Sequence, residues 1–274
     1  MVKVILFITF LILIIFLLLF GAIAFMCAPN NRRDVSAFYG RKFAHRGLHN
    51  KDVPENSMTA FRRARERNLG VELDVQMTRD KQLVVFHDGN LKRMCGVDGL
   101  LKDYSYEELC ELRLNNTEEK IPLFSEVLKI IDGVDLICEI KSDNGVKNYE
   151  LCQKTYDMLM TYSGNFCMES FSPFITGWFK NNHPEIIRGQ LACITENSGN
   201  GRFVDFLLTN LMLNFISRPD FIAYDFHDIS TFGYRFVKKI FNPFRICWTP
   251  KGVEEINIAS KEFDTLIFEE FPSD

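Results

Sequence analysis

Hydrophobic and polar positions fall into two regimes along this 274-residue chain. From Val4 to Met26 almost every residue is Ile, Leu, Phe, Val or Ala, and none is charged. As a helix at roughly 1.5 Å per residue, this run reaches about 34 Å, enough to cross a bilayer. The apolar core of a cleaved signal peptide is usually shorter and followed by small residues. Here the run ends in Phe25-Met26-Cys27. The pattern predicts an uncleaved single-pass transmembrane anchor over residues 1–27, a short linker over 28–40 and one globular domain over 41–274.

Beyond the linker the pattern breaks into short apolar runs that alternate with segments of helical period. Strands are predicted at Arg41–Gly47, Val71–Thr78, Gln82–His87, Asp135–Lys141, Phe166–Phe171, Ile186–Ile194, Phe221–Phe226, Arg245–Thr249 and Thr265–Phe268. Helices are predicted at Glu55–Asn68, Tyr106–Leu114, Phe124–Ile131, Asn148–Tyr162, Ile175–Asn181, Phe203–Phe215, Phe232–Phe241 and Val253–Ser260. Strand and helix in turn, with about eight strands, make an α/β fold and fit a closed barrel. Periodicity alone fits an open doubly wound sheet as well. The Phe- and Leu-rich stretch from Phe203 to Phe241 reads as outer helices packed on the sheet, or as a lipid-contacting surface beside the anchor.

Charge and cysteine content refine this picture only slightly. A net charge of −4 gives no basic excess and argues against a nucleic-acid partner. The eight cysteines are scattered, with no CxxC pair, and read as buried free thiols. Free thiols favour a reducing compartment. Arg32, Arg33, Arg41 and Lys42 follow the apolar run, so the positive-inside rule leans towards a cytoplasmic domain.

The chemistry-bearing residues collect at predicted strand ends. Glu72 and Asp74 lie two apart in a strand, so their carboxylates share a face while Val71, Leu73 and Val75 take the other. Two buried acids side by side repel unless a cation lies between them, and a hard divalent metal is the economical partner. Glu139 and Lys141 repeat the spacing, and a third carboxylate beside a cation suits a metal site that also holds a phosphate. His45 and His87 fall at strand ends, where barrel enzymes gather their catalytic groups, and can exchange protons near neutral pH. Arg46 has the forked geometry that matches phosphate oxygens. His49, His183 and His227 lack such context and read as bystanders.

Taken together, these motifs resemble the glycerophosphodiester phosphodiesterases. The likeness runs through His45-Arg46-Gly47, Pro54-Glu55-Asn56-Ser57, Glu72-Leu73-Asp74-Val75, Leu83-Val84-Val85, His87-Asp88, Glu139-Ile140-Lys141, Ser170-Phe171 and Trp248-Thr249. The resemblance implies a (β/α)8 TIM barrel holding one divalent cation, Mg²⁺ or Ca²⁺. It implies Glu72, Asp74 and Glu139 as metal ligands, His45 and His87 as the acid/base pair, and Arg46 and Lys141 on the phosphate. Trp248 would line the glycerol pocket with Phe171 at its rim, and Glu55 and Asn56 would shape the site. Two stretches depart from the family pattern: Pro250-Lys251 after Trp248-Thr249, and Ile267-Phe268-Glu269-Glu270 in the last strand.

The expected reaction is metal-dependent hydrolysis of a glycerophosphodiester to sn-glycerol 3-phosphate and an alcohol. The substrate is then a small-molecule or lipid phosphodiester, and the membrane is a partner through the amino-terminal helix. One alternative is a lysophospholipase D acting on membrane lysophospholipids. Another, of a different class, is a catalytically silent barrel that binds phosphodiesters or a membrane partner. The full set of histidines and acids argues against silence.

Overall fold

The computed structural model describes residues 1–30, 32–142, 148–196, 199 and 201–269. Glu270, named above in the last strand, lies outside the described residues. A 26-residue helix, α1 (Val2–Cys27), comes first. The domain then runs β1 (Lys42–Ala44), α2 (Met58–Glu66), β2 (Gly70–Met77), β3 (Leu83–Val85), α3 (Lys92–Cys95), α4 (Tyr106–Cys110), α5 (Phe124–Ile130) and β4 (Leu136–Ile140). It continues α6 (Tyr149–Leu159), β5 (Phe166–Ser170), α7 (Pro173–Asn182), β6 (Arg188–Ala192), α8 (Arg202–Thr209) and α9 (Asn214–Ser217). The last elements are β7 (Phe221–Asp225), α10 (Phe232–Phe241), β8 (Phe244–Trp248), α11 (Gly252–Glu262) and β9 (Thr265–Phe268).

Eight of the nine strands run parallel, and β1 pairs with both β2 and β9, which closes the ring. This is a (β/α)8 barrel; the open-sheet alternative is excluded by the β1–β9 pairing. The one antiparallel strand corrects an expectation. The run Gln82–His87 forms β3, which is antiparallel to β2 and stands outside the ring. Only a short turn after Thr78 links it to β2, with the Gln82 amide donating back to Thr78 Oγ1 at 2.9 Å. So short a link can make a hairpin but not a parallel crossover.

Local sequence sets the helix starts. Ser57 caps α2 by accepting from the Ala60 amide, Ser105 and Glu108 form a capping box on α4, and Asn148 caps α6. The predicted helix Phe203–Phe215 is broken into α8 and α9, with Leu211 in the left-handed region at φ +58°. Apolar residues on the outer faces of the strands, Leu73, Val75, Cys138 and Met168 among them, pack under the helices. A separate interior cluster of Phe43, Ile137, Cys167, Ala223, Ile246 and Ile267 fills the barrel. Burying apolar side chains inside and outside the ring supplies the main drive for closure. All eight cysteines are free, five of them buried.

The stretch expected as a linker also packs on the barrel, through Val35 and Phe38. Val35 and Phe38 are buried in the interior cluster, and Phe38 stacks on Phe43 at 6.2 Å, closing the floor at the amino ends of the strands.

Candidate active site

The open end of the barrel lies at the carboxyl ends of the strands, and there the interior turns from apolar to acidic. Glu72 and Asp74 point inward from β2 while Val71, Leu73 and Val75 join the outer core, as alternation requires. Parallel register sets Asp74 beside Glu139 of β4, and Glu139 beside Glu169 of β5. Oxygens of Glu72, Asp74 and Glu139 lie within 4.8 Å of one another, and all three residues are buried.

Burial and mutual repulsion push the Glu72 carboxyl well above its usual range. Burial pushes Glu139 up to about 7, although Lys141 pulls the other way. Burial would also raise Asp74, but Lys141, His87 and Arg46 outweigh it and hold that carboxyl far below its usual range. Lys141 Nζ bridges Asp74 Oδ1 at 2.9 Å and Glu139 Oε1 at 2.8 Å. One ammonium cannot neutralise so many buried acids, and two further acceptors, Asn56 Oδ1 and Glu169 Oε2, are buried with no hydrogen-bond partner. Clustered hard oxygen donors with excess negative charge fit a divalent cation such as Mg²⁺ or Ca²⁺.

The turn after β1 supplies the next groups. Arg46 has φ +54° and Gly47 φ +77°; a Cβ on Gly47 would sit 2.9 Å from the Ala60 backbone, so glycine is required there. This tight turn lets the Arg46 amide donate to Glu72 Oε2 at 3.0 Å. Its guanidinium reaches Glu55 Oε1 at 2.8 Å and lies 3.4 Å from Asp74 Oδ2. Asn56 Nδ2 donates to Asp74 Oδ2 at 2.7 Å, and Glu55 is clamped between Arg46 and Arg93. Asn56 therefore orients an acid of the cluster, and Glu55 orients the arginine.

His45 follows β1, with Nε2 facing Glu72 Oε2 at 3.9 Å and Nδ1 bonded to Glu269 Oε1 at 2.6 Å. Burial pushes its imidazolium down, more than Glu269 lifts it. His87 follows β3, so it reaches the site from the hairpin's return strand and not from a barrel strand. Its neighbours on the preceding stretch are tied in place by the Phe86 amide bonding to the Asp74 carbonyl at 2.9 Å. Its Nδ1 bonds Asp88 Oδ1 at 2.7 Å, and burial lowers its pKa despite the pull of Asp74. On the opposite side, Trp248 ends β8 and meets Phe171 edge to face at 5.6 Å; its Nε1 is buried with no partner.

Three residues here were not among the sequence candidates. Glu269 anchors His45, Glu169 extends the acidic row, and His49, read as a bystander, stands 3.9 Å from Glu269. The usable signal was an acid at a strand's carboxyl end, which both Glu169 and Glu269 satisfy. His183 stacks on Tyr156, and His227 pairs with Asp225 and Glu255, both apart from the acidic cluster.

A buried acid cluster, two histidines and two cations thus meet at the mouth of a parallel barrel. Residues 45–165 match the model of the Glycerophosphoryl diester phosphodiesterase family. A glycerophosphodiester phosphodiesterase of Bacillus altitudinis is 45% identical over 115 residues, 39% of this chain and 46% of that protein. A lysophospholipase D of Rattus norvegicus is 33% identical over 145 residues, 48% of this chain and 45% of that protein. The chain thus spans about half the length of the curated relatives it matches. Among solved structures, an Oleispira antarctica phosphodiesterase in complex with the product sn-glycerol-3-phosphate has a TM-score of 0.69 at 21% identity. The match covers 85% of this chain and 94% of that one, and shows the shared fold. A Thermotoga maritima glycerophosphodiester phosphodiesterase follows with a TM-score of 0.64 at 25% identity, covering 83% and 93%.

Proposed function

We propose that this protein is a membrane-anchored phosphoric diester hydrolase that cleaves glycerophosphodiesters to sn-glycerol 3-phosphate and an alcohol. The observation that carries the reading is the buried trio Glu72, Asp74 and Glu139 with Lys141 across two of them and Arg46 beside them. A divalent cation held by the trio would polarise the phosphoryl oxygens and offset charge that develops on them. Arg46 and Lys141 hold the phosphate by charge-assisted hydrogen bonds, with Glu55 keeping the Arg46 fork aimed. Asn56 keeps Asp74 in its rotamer. His45 and His87 form the acid/base pair: one takes a proton from the water that attacks phosphorus, the other returns a proton to the leaving alkoxide as its bond to phosphorus breaks. Glu269 and Asp88 each bond an Nδ1, leaving both Nε2 atoms for proton transfer. Trp248 and Phe171 wall the pocket for the glycerol backbone.

Anchoring is supported by α1 itself. It is long and apolar enough to span a membrane, and its carboxyl end is built into the domain, with Cys27 fully buried. A lysophospholipase D activity is a second reading, favoured by the identity with the rat protein and by an apolar cavity behind Phe171. A panel of glycerophosphocholine, other glycerophosphodiesters and lysophosphatidylcholine, with chelation and metal add-back, tests both. Turnover of none of them, with metal supplied, would overturn the hydrolase reading.

A further inference from the structure

The anchor does not hang free of the barrel. The Asn214 side chain donates to the Cys27 carbonyl at 2.9 Å, and Arg218 donates to the carbonyls of Phe25 and Ala28 at 3.0 and 2.9 Å. Phe25 stacks on Phe215 at 6.2 Å, and Phe20 meets Phe236 edge on at 5.8 Å. Lys3 marks the far side of the apolar run. Counting a hydrocarbon core of about 30 Å from there at about 1.5 Å per residue reaches roughly Ile23. The contact zone Phe20–Cys27 therefore lies at the near boundary of the bilayer, and so do the parts of the domain packed against it.

Those parts lead to the rim of the active site. Phe236 stacks on Phe232 at 5.5 Å, and Phe232, the first residue of α10, stands at the carboxyl end of the barrel. Helix α8 ends at Asn210, whose carbonyl accepts from Cys27 Sγ at 3.6 Å and whose side chain accepts from the Gly233 amide at 2.9 Å. Phe203, Phe206 and Phe232 are 73%, 52% and 54% exposed, as open as Phe7 and Phe10 of the anchor at 66% and 60%. Large aromatics this exposed, continuous with a membrane helix, mark a lipid-contacting face.

The same short helix has a second face. Val204 and Leu208, one turn apart, line a cavity of about 480 Å³ with Phe171, Leu191, Ile194 and Leu213. Ser142, next in sequence to Lys141, and Phe171, in contact with Trp248, border it, so it lies beside the groups proposed to hold the phosphate and the glycerol. We infer that α8 and the start of α10 are seated in the bilayer interface, and that the cavity behind α8 receives the apolar arm of a phosphodiester drawn from the membrane. The inference rests on the hydrolase reading for its chemistry, since it gives that site a lipid substrate. With lysophosphatidylcholine, water adds to phosphorus and the bond to the choline oxygen breaks, giving lysophosphatidate and choline. Glycerophosphocholine releases choline at the same bond, so one product reports on both substrates.

The experiment uses the full chain in phosphatidylcholine vesicles, with Phe203→Trp, Phe232→Trp and Tyr39→Trp variants and nitroxide-labelled acyl chains. Tyr39 is 55% exposed at the closed floor of the barrel, next to Phe244 at the start of β8. Tryptophans introduced at positions 203 and 232 are expected to be quenched beyond the wild-type background of Trp178 and Trp248, and the one at position 39 is not. Quenching at 39 but not at 203 and 232, or at none, overturns the seating, as a protein-docking or self-association face would. In parallel, the double variant Phe203→Asp/Phe206→Asp should release choline from vesicle-borne lysophosphatidylcholine about tenfold or more slowly, from the lost apolar transfer of two aromatics. Its rate on soluble glycerophosphocholine should stay within about twofold. Equal losses on both substrates count against the inference. Quenching at positions 203 and 232 as expected, with wild-type protein that releases choline from neither substrate, removes the hydrolase reading and leaves the seating standing.

Discussion

The two flanks of the barrel mouth are built from opposite materials. The β1–β2–β4 flank carries Arg46, Glu72, Asp74, Glu139 and Lys141, braced by Glu55, Asn56 and Arg93 in one charged network. The β5–β7 flank adds Glu169 to the acidic row but also carries Phe171, Leu191 and the cavity face of α8, with α1 packed behind it on α9 and α10. The family match, residues 45–165, covers the first flank and stops where the second begins. Phosphate chemistry needs fixed charges at fixed spacing, so it leaves recognisable motifs. An apolar wall needs only volume and exclusion of water, which many sequences supply. On the proposed reading, the reaction falls to one side of the mouth and the choice of substrate to the other.

The comparison breaks most sharply at the cation. Excess chelator should reduce hydrolysis to background, with Mg²⁺ or Ca²⁺ restoring it, and Asp74→Asn should cost more than about 100-fold through lost charge on a hard-ion site. Full activity in excess chelator would remove the metal from the account. The histidines come next: His45→Ala and His87→Ala should each slow turnover by about 10²–10⁴-fold, as general acid–base groups do. A p-nitrophenyl ester, whose leaving group needs little protonation, should rescue only the variant lacking the acid. Glu269→Gln should mimic the His45 change more weakly, by about 10–100-fold, because it misorients the ring without removing it. On the apolar flank the effect should be smaller and different in kind. Phe171→Ala should raise KM a few-fold, roughly, with kcat kept, the signature of uniform binding; a large fall in kcat would erase the distinction between flanks.

The smallest expected effect is on stability. The Glu139 carboxyl is pushed up to about 7 from an ordinary 4.5, so the chelated, folded protein holds a proton that the unfolded chain has released. That contribution is full below about 4.5 and is lost as pH rises through about 7, with Glu72 and Glu169 acting in the same direction. The lowered histidines His45, His49 and His87 act the opposite way below about pH 6.5, so the chelated protein should melt a few degrees lower at about pH 8 than at about pH 6.5, and a saturating divalent cation should flatten or reverse the trend. A Tm that rises with pH without metal would show that these acids are not buried together.

Much of the charged flank was legible in the sequence because strand alternation alone puts Glu72 and Asp74 on one face, and the register of β2 with β4 then brings Glu139 beside them. His87 was legible as a strand-end histidine but not in its setting, since the turn from Thr78 to Gln82 had to be weighed as a hairpin before the eight-strand ring could be counted. Glu269 was present only as a departure from a pattern, and Glu169 only as an acid in an apolar strand; both acquire meaning from closure, which joins strands far apart in the chain. The division of Phe203–Phe215 into two helices, with the cavity face on the first, hinges on the left-handed turn at Leu211, which no periodicity announces.

The bond between His45 and Glu269 joins residues 224 positions apart. Ring closure is thus a late event in the chain's history, because the first strand waits for the ninth before its histidine is oriented. During synthesis, every motif of the charged flank is already out of the ribosome while the His45 imidazole still lacks its carboxylate partner. Contacts of such long range slow folding, and here they also delay competence until the last strand has docked. A chain cut short just before β9 would keep all the recognisable motifs and have an open sheet edge where the first strand should be covered.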